Sequence, residues 1–241
     1  MKHRFRFLGQ YAQSKEDFIW TITESELHHL HSVLRLSVGD IIEVFDGHGF
    51  YSLAEIKEIS PKKQALALSD QLCFEEKSQK NVALAIGALK PKTLDDLIPS
   101  LVELGLNEIH IFSQQHTEKF RLSDKNQERW EKIILASTKQ CKRNYLTKLS
   151  LWPKKKTFEE HMTKSFDRIF MLSPKGENHL IEEKDLPKNA CAVIGSESGL
   201  SEEEMAFFES IGAKKVTLNK NILRAYTAAI ATAALLKSLE K

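Results

Sequence analysis

The chain has 241 residues, 41% of them hydrophobic and 28% charged, with a net charge of +2 and a pI near 8.3. That length permits one large domain or two smaller ones with a sizeable core, and no apolar run approaches the ~20 residues needed to span a bilayer. The N-terminal residues lack the apolar stretch of a secretion signal. Cys73, Cys141 and Cys191 are too few and too dispersed for a disulfide framework or structural zinc. The expected location is the cytoplasm.

Residues 1–72 hold eight Lys/Arg against ten Asp/Glu, and the remainder holds 27 against 23. Neither part is a polybasic arm, so any nucleic acid would be held by placed residues rather than by a general positive field. The first stretch reads as short strands around one helical segment. Leu27, Leu30 and Leu34 give residues 25–34 a helical face. Residues 40–47 read as a strand entering a turn bracketed by Gly47 and Gly49, with 51–56 returning and 65–68 adding a further strand. The charged segment 74–79 marks a boundary, giving a small domain over 1–73 and a second over 74–241.

The second part alternates strands and helices. Residues 82–89 form an apolar strand, and Thr93-x-x-Asp96 resembles a capping box. Leu94, Leu97, Ile98, Leu101 and Val102 follow at helical spacing, interrupted by Pro99 and ended by Gly105. After a strand at 109–112, Ser123 opens a helix to about Asn144, with Trp130, Ile133, Ile134 and Ser137 facing inward. Strands follow at 169–172 and 192–194. Ser201-x-x-Glu204 is a second capping box before a helix stopped by Gly212. A last strand at 216–218 and an alanine-rich helix over 222–239 close the chain. This alternation predicts an α/β domain with a mainly parallel sheet.

Two junctions stand out, Gly195-Ser196-Glu197-Ser198-Gly199 and Leu218-Asn219-Lys220-Asn221-Ile222-Leu223-Arg224. Each links an apolar strand to a helix start, where backbone N–H groups are free to hold a ligand. The first is neither a dinucleotide fingerprint nor a P-loop. Read alone, it is equally an ordinary loop with an N-cap at Ser201. Glu197 would repel a phosphate and suits a cationic or hydrogen-bonding ligand such as a sulfonium nucleoside. Arg224, at the start of the last helix, would clamp a phosphate or a developing negative charge, or else form a surface ion pair. Lys139, Gln140, Lys142 and Arg143 cluster at a helix end, either as solvated charge or as an RNA contact. Arg4 and Arg6, spaced by two, face the same way. His28, His29 and His31 lack a further metal ligand, and no metal is expected.

These junctions resemble those of the SPOUT class of S-adenosylmethionine-dependent RNA methyltransferases, and most closely the RsmE-type family. The resemblance runs through His3-Arg4-Phe5-Arg6-Phe7, His28-His29-Leu30, Val33-Leu34-Arg35-Leu36, Gly39-Asp40, Phe45-Asp46-Gly47, Glu103-Leu104-Gly105 and Trp130 to Arg143. It implies a small PUA-like β-barrel domain followed by an α/β domain. The latter has a SPOUT-type trefoil-knotted, mainly parallel sheet with helices on both faces. It implies S-adenosyl-L-methionine as cofactor, held by Leu172, Ser173, Gly195, Ser196, Glu197, Gly199, Leu218, Asn219, Asn221, Ile222 and Leu223. Arg224 is the implied catalytic residue, and Arg4, Arg6, Arg35, Lys90, Gln140 and Arg143 the implied RNA contacts. The implied activity is methylation of uridine N3 in 16S ribosomal RNA of the small subunit, by a homodimer joined near its last helix.

The chain departs from that family's usual pattern. Proline gives way to Ser196, glycine to Ser198 and Asn219, arginine to Asn221 and glutamate to Tyr226, whereas Glu197, Gly199, Arg224 and Thr227 match. A positive dihedral at Ser198 would be strained. A non-catalytic RNA-binding protein of the same fold, or a methyltransferase for another nucleotide, stays open at this level. A Rossmann dehydrogenase does not suit Gly87-Ala88-Leu89-Lys90-Pro91, which lacks the glycine fingerprint.

Overall fold

A computed structural model describes residues 4–14, 17–22, 24–60, 64–114, 122–176 and 178–240. The chain divides into two compact units, Met1–Lys77 with Thr138–Leu146, and Ser78–Ser137 with Thr147–Lys241. Residues 138–146, which the sequence keeps in the second domain, therefore pack with the first.

In the first unit, β1 (Arg6–Ser14) and β2 (Asp17–Ile22) are followed by a single α-turn, α1 (Glu24–Leu27), that widens into a π-helical turn at His28–Val33. Then come β3 (Ile41–Phe45), β4 (Phe50–Ser60), β5 (Gln64–Ser69) and the short β6 (Cys73–Phe74). The strand order is β3-β1-β2-β5-β4-β6, and β3 also pairs with β4, which closes the sheet into a barrel. Closure removes the exposed edges that an open sheet would present. Strand alternation sends Phe7, Trp20, Ile22, Ile42, Val44, Ala54, Ile56, Ala65 and Ala67 into one core. Leu27 and Leu30 join it, while His28, His29 and His31 are all exposed. The widened turn thus buries the leucines as their spacing predicts and leaves the histidines in solvent.

The β3–β4 turn depends on Asp46, whose carboxylate accepts from the His48 and Phe50 N–H groups at 2.7 and 3.1 Å. Gly49 has a φ of +111°, and a Cβ there would overlap the Tyr145 hydroxyl. The glycine therefore admits the returning segment 138–146. That segment is stitched in by Gly49 N–H to the Asn144 carbonyl (3.0 Å), Leu146 N–H to the Gly47 carbonyl (3.1 Å) and the Tyr145 hydroxyl to the Glu75 carbonyl (2.6 Å). Lys139 places its ammonium 2.9 Å from both oxygens of Glu26, a carboxylate only 4% exposed.

The second unit holds β7 (Asn81–Gly87), α2 (Pro91–Glu103), β8 (Glu108–Phe112), α3 (Asp124–Gln140), β9 (Lys148–Trp152) and α4 (Lys155–Ser165). It continues with β10 (Arg168–Leu172), β11 (Asn178–His179), β12 (Asn189–Ile194), α5 (Glu202–Ser210), β13 (Lys214–Thr217) and α6 (Ala225–Ser238). The seven strands pair in the order β11-β13-β10-β12-β7-β8-β9, with parallel registers throughout. β7 and β12 are buried almost end to end, as expected of central strands covered on both sides. Ala83, Ala85, Cys191, Val193, Ile169 and Met171 meet Phe158 and Met162 of α4 and Phe208 of α5 on one face. α6 packs on β7 and β12 and against α2, and strand alternation gives it the opposite face.

Three helix boundaries differ from those read in sequence. α2 starts at Pro91 with Lys90 as N-cap, so Thr93 and Asp96 lie inside it and form no capping box. Proline at the first helical position supplies the start signal instead. Pro99 sits within α2 without ending it, because Leu94, Leu97, Ile98, Leu101 and Val102 bury one continuous stripe. α3 stops at Gln140 rather than near Asn144, since Lys142 takes a φ of +60°. α6 begins at Ala225, so Ile222 and Leu223 belong to the preceding loop.

Replacing Lys139 by Met leaves Glu26 buried without its cation, and urea unfolding should show a loss of about 3 kcal/mol. The double replacement Lys139→Met with Glu26→Leu should recover most of that loss, because it removes both charges together.

Candidate functional site

Parallel pairing sends the C-terminal ends of β7, β12, β10 and β13 to one edge of the second unit's sheet. Crevices outside such strand ends are where open α/β sheets hold ligands. The loops leaving β10, β12 and β13 contain ten of the eleven residues that the resemblance assigns to a cofactor, and Leu172 is the last residue of β10. Across the end of β10, Leu172 and Ser173 are half-buried, and Ser173 N–H donates to the Val216 carbonyl of neighbouring β13 at 2.9 Å. Gly176 closes this turn through its N–H to the Ser173 carbonyl (3.1 Å), and a Cβ on Gly176 would run into the β13 backbone at Val216 and Thr217.

After β12, Gly195 and Ser196 are buried while Glu197, Ser198 and Gly199 are exposed. Ser196 and Gly199 form the ends of a tight turn, with Gly199 N–H on the Ser196 carbonyl at 2.9 Å. Gly199 carries the positive φ, +79°, and open space surrounds the place of its missing Cβ. Ser198 is not among the residues with positive φ, so the strain considered for it does not arise. Its hydroxyl lies 3.1 Å from that of Ser196. Gly195 meets the Gly199 backbone so closely that a Cβ there would overlap it.

Gln114, just past the end of β8, was not singled out by the sequence. Its side-chain carbonyl accepts from Ser196 N–H at 2.7 Å, and its amide donates to the Gly199 carbonyl at 3.1 Å and to Glu204 Oε2 at 2.6 Å. Glu204 also completes the capping box expected at Ser201, accepting from Ser201 N–H at 2.8 Å while the Ser201 hydroxyl accepts from Glu204 N–H at 3.2 Å. The serine that stands where the resemblance expects proline therefore contributes an N–H that proline lacks, and Gln114 receives it. Gly87, at the end of β7, makes the room, since a Cβ there would occupy the position of Gln114 Oε1.

After β13, the Thr217 hydroxyl donates to the Asn219 carbonyl at 3.1 Å, and the Asn219 side chain accepts from Asn221 N–H at 2.8 Å. Leu218 and Leu223 are half-buried, whereas Ile222 is 84% exposed, an unusual position for a large aliphatic side chain. Arg224 is the N-cap of α6 and is exposed, and its side chain does not cap the helix. The two helix starts thus differ. That of α5 is sealed by its own box, whereas the first-turn N–H groups of α6 receive nothing from Arg224.

The implied RNA residues fall in both units. In the first unit Arg4 is exposed ahead of β1, while Arg6 is half-buried, with its guanidinium 4.3 Å over the Phe45 ring and bonded to Asn144. The two arginines therefore do not form one exposed row. Burial pushes the Arg6 and Arg143 guanidinium pKa values down, and Glu43 opposes the shift at Arg6. Arg35 is exposed with a φ of +53°, and Gln140 is exposed at the end of α3. Lys90 lies in the second unit, exposed at the start of α2.

At the opposite end of β8, Glu108, His110 and His161 bring one oxygen and two nitrogens within 4.8 Å of one another. These residues do not suit a metal as they stand. Trp152 Nε1–H donates to His110 Nδ1 at 3.1 Å, which puts the remaining ring proton on Nε2, 3.1 Å from Glu108 Oε2. A metal would need that Nε2 lone pair.

A family model described as RNA methyltransferase domain matches residues 75–237, and one described as RNA methyltransferase PUA domain matches residues 22–67. The chain belongs to this RNA methyltransferase family. It is 29% identical over 222 residues to Ribosomal RNA small subunit methyltransferase E of Mesomycoplasma hyopneumoniae, covering 91% of this chain and 94% of that one. The protein of the same name from Buchnera aphidicola is 25% identical over 221 residues, covering 90% and 87%. The crystal structure of a Neisseria gonorrhoeae Ribosomal RNA small subunit methyltransferase E bound to S-adenosyl methionine superposes with a TM-score of 0.81 at 22% identity, covering 98% of each chain. That likeness bears out the α/β fold with a parallel sheet and a PUA-like domain. Among the described residues no helix is long and apolar enough to cross a membrane.

The His110 imidazole 3.1 Å away lowers the Glu108 carboxyl pKa, burial opposes it and the bond from Asn81 lowers it further, with a net fall from 4.5 to about 2. A depressed carboxyl contributes stability that is complete above its unfolded value and disappears as pH falls through the folded one. Urea midpoints should therefore drop between about pH 4.5 and 2 in the native protein, and Glu108→Gln should flatten that limb of the profile.

Proposed function

We propose that this chain is an S-adenosyl-L-methionine-dependent methyltransferase that acts on N3 of a uridine in the 16S ribosomal RNA of the small subunit. The observation that carries this is the meeting of the β10, β12 and β13 loops at one sheet edge, in a chain of the RNA methyltransferase family. The relatives named for the small-subunit RNA supply the substrate class. The Neisseria structure supplies the cofactor.

The residues present fit such a cofactor. Gly199 leaves open space at the turn, Glu197 and Ser198 are exposed beside it, and α6 starts without a side-chain cap, which suits the carboxylate of the methionine moiety. Leu172, Leu218 and Leu223 offer partly buried apolar surface to an adenosine ring. When bound, the cofactor supplies an electrophilic sulfonium methyl.

The uracil N3–H is only weakly acidic, so methylation at N3 releases a proton and passes through developing negative charge on the base. Arg224 is placed to stabilise that charge or to hold the nucleotide's phosphate. Positioning and electrostatics then supply most of the acceleration, and no metal takes part. Arg4, Arg6, Arg35, Lys90, Gln140 and Arg143 hold the RNA, with Arg6 acting as much through its packing on Phe45 as through its charge. The trefoil-knotted backbone, the homodimer formed near α6 and a cytoplasmic site of action belong to the same proposal.

Isothermal titration with S-adenosyl-L-methionine should give micromolar affinity, and mass mapping of ribosomal RNA should show one methylated uridine that disappears with the gene. An unchanged methylation pattern would overturn the substrate assignment. Arg224→Ala should lower kcat by about a hundredfold while leaving cofactor affinity within a few-fold, the signature of a group that acts on developing charge.

A further inference from the structure

We propose that Gln114 is a positioning residue of this site, holding the Ser196–Gly199 turn in its donor-binding shape from behind. The inference rests on the preceding proposal that this turn holds the methyl donor.

Gln114 is 7% exposed and uses both ends of its amide on the two ends of one turn, Oε1 on Ser196 N–H and Nε2 on the Gly199 carbonyl. The second amide proton goes to Glu204, which is itself half of the α5 capping box. One side chain therefore ties the turn to the helix that follows it. Glu197, Ser198 and Gly199 are exposed, and the side chains of the first two stay available to a ligand.

The chemistry asked of position 114 is narrow. It needs one acceptor and two donors in a plane, which among side chains of this length only a primary amide provides. Leucine would fill the space but orphan Ser196 N–H and the Gly199 carbonyl. A carboxylate would still accept from Ser196 N–H, but it would lose both donors and face Glu204 with like charge. Gly87 is part of the same device, since any side chain there overlaps both the Gln114 amide and the Ser196 nitrogen it accepts from.

The test titrates S-adenosyl-L-methionine into the full chain and into Gln114→Leu, Gln114→Glu and Gly87→Ala, between pH 5.5 and 8, with urea unfolding run in parallel. Gln114→Leu and Gly87→Ala should raise Kd about tenfold at every pH, as expected for orphaned buried polar groups. Gln114→Glu should bind as weakly at pH 8 and recover several-fold toward pH 5.5. There, the introduced carboxyl and Glu204 can share a proton that restores a donor. The native protein should show no such recovery. A role confined to general stability would change the urea midpoint without producing this pH-dependent rescue of affinity. Binding within twofold of native in all three variants, or losses that merely follow the folded fraction, would overturn the inference. No binding by the native protein itself would overturn the methyl-donor proposal, and this inference with it.

Discussion

Parallel pairing of β7, β12, β10 and β13 is the constraint on which the rest depends. Parallel strands deliver all their C-terminal ends to one edge, so loops distant in sequence arrive at a common place. The Ser173, Ser196 and Asn219 loops are neighbours because their strands are neighbours. β12 sits between β10 and β7, and β13 lies on the far side of β10. The inter-loop bonds are then short-range consequences. Ser173 N–H reaches β13, and Gly176 abuts the same strand. These contacts depend on β10 and β13 running the same way.

Within that edge the two helix starts divide the work. The α5 start spends its N–H groups on Ser201 and its own Glu204, and it is further tied to Gln114. The α6 start has Arg224 at its cap, makes no cap through that side chain, and has Ile222 exposed just before it. One helix start is tied to the turn beside it, and the other takes no cap from its own N-cap side chain.

Much of this was legible in the sequence. Central strands announced themselves as apolar runs, as residues 82–89 did for β7 (Asn81–Gly87), and Ser201-x-x-Glu204 marked the start of α5 because capping chemistry is local. The two strand–loop–helix junctions were visible for the same reason. What escaped depended on distance along the chain. Gln114 carries no motif, and its partners Ser196 and Glu204 are remote in sequence. The only hint was Gly87, whose missing side chain makes sense solely once β7 and β8 are paired. The return of 138–146 to the barrel was equally hidden, because Gly49 reads as a turn glycine until Tyr145 is found against it. The spacing of two puts Arg6 on one face with Arg4, whereas Phe45 and Asn144 hold Arg6 half-buried while Arg4 is exposed. The false capping box at Thr93 has a related cause, since Pro91 was the better local signal for the start of α2.

The central claim is that the strand-end loops of the second unit form one methyl-donor pocket. Amide hydrogen exchange of the full chain, with and without saturating S-adenosyl-L-methionine, tests it most directly. The account predicts slowed exchange confined to residues 172–176, 195–199 and 218–226, with the β3–β4 turn of the barrel unchanged. Unaltered exchange across all three loops, or protection that falls elsewhere, would contradict it.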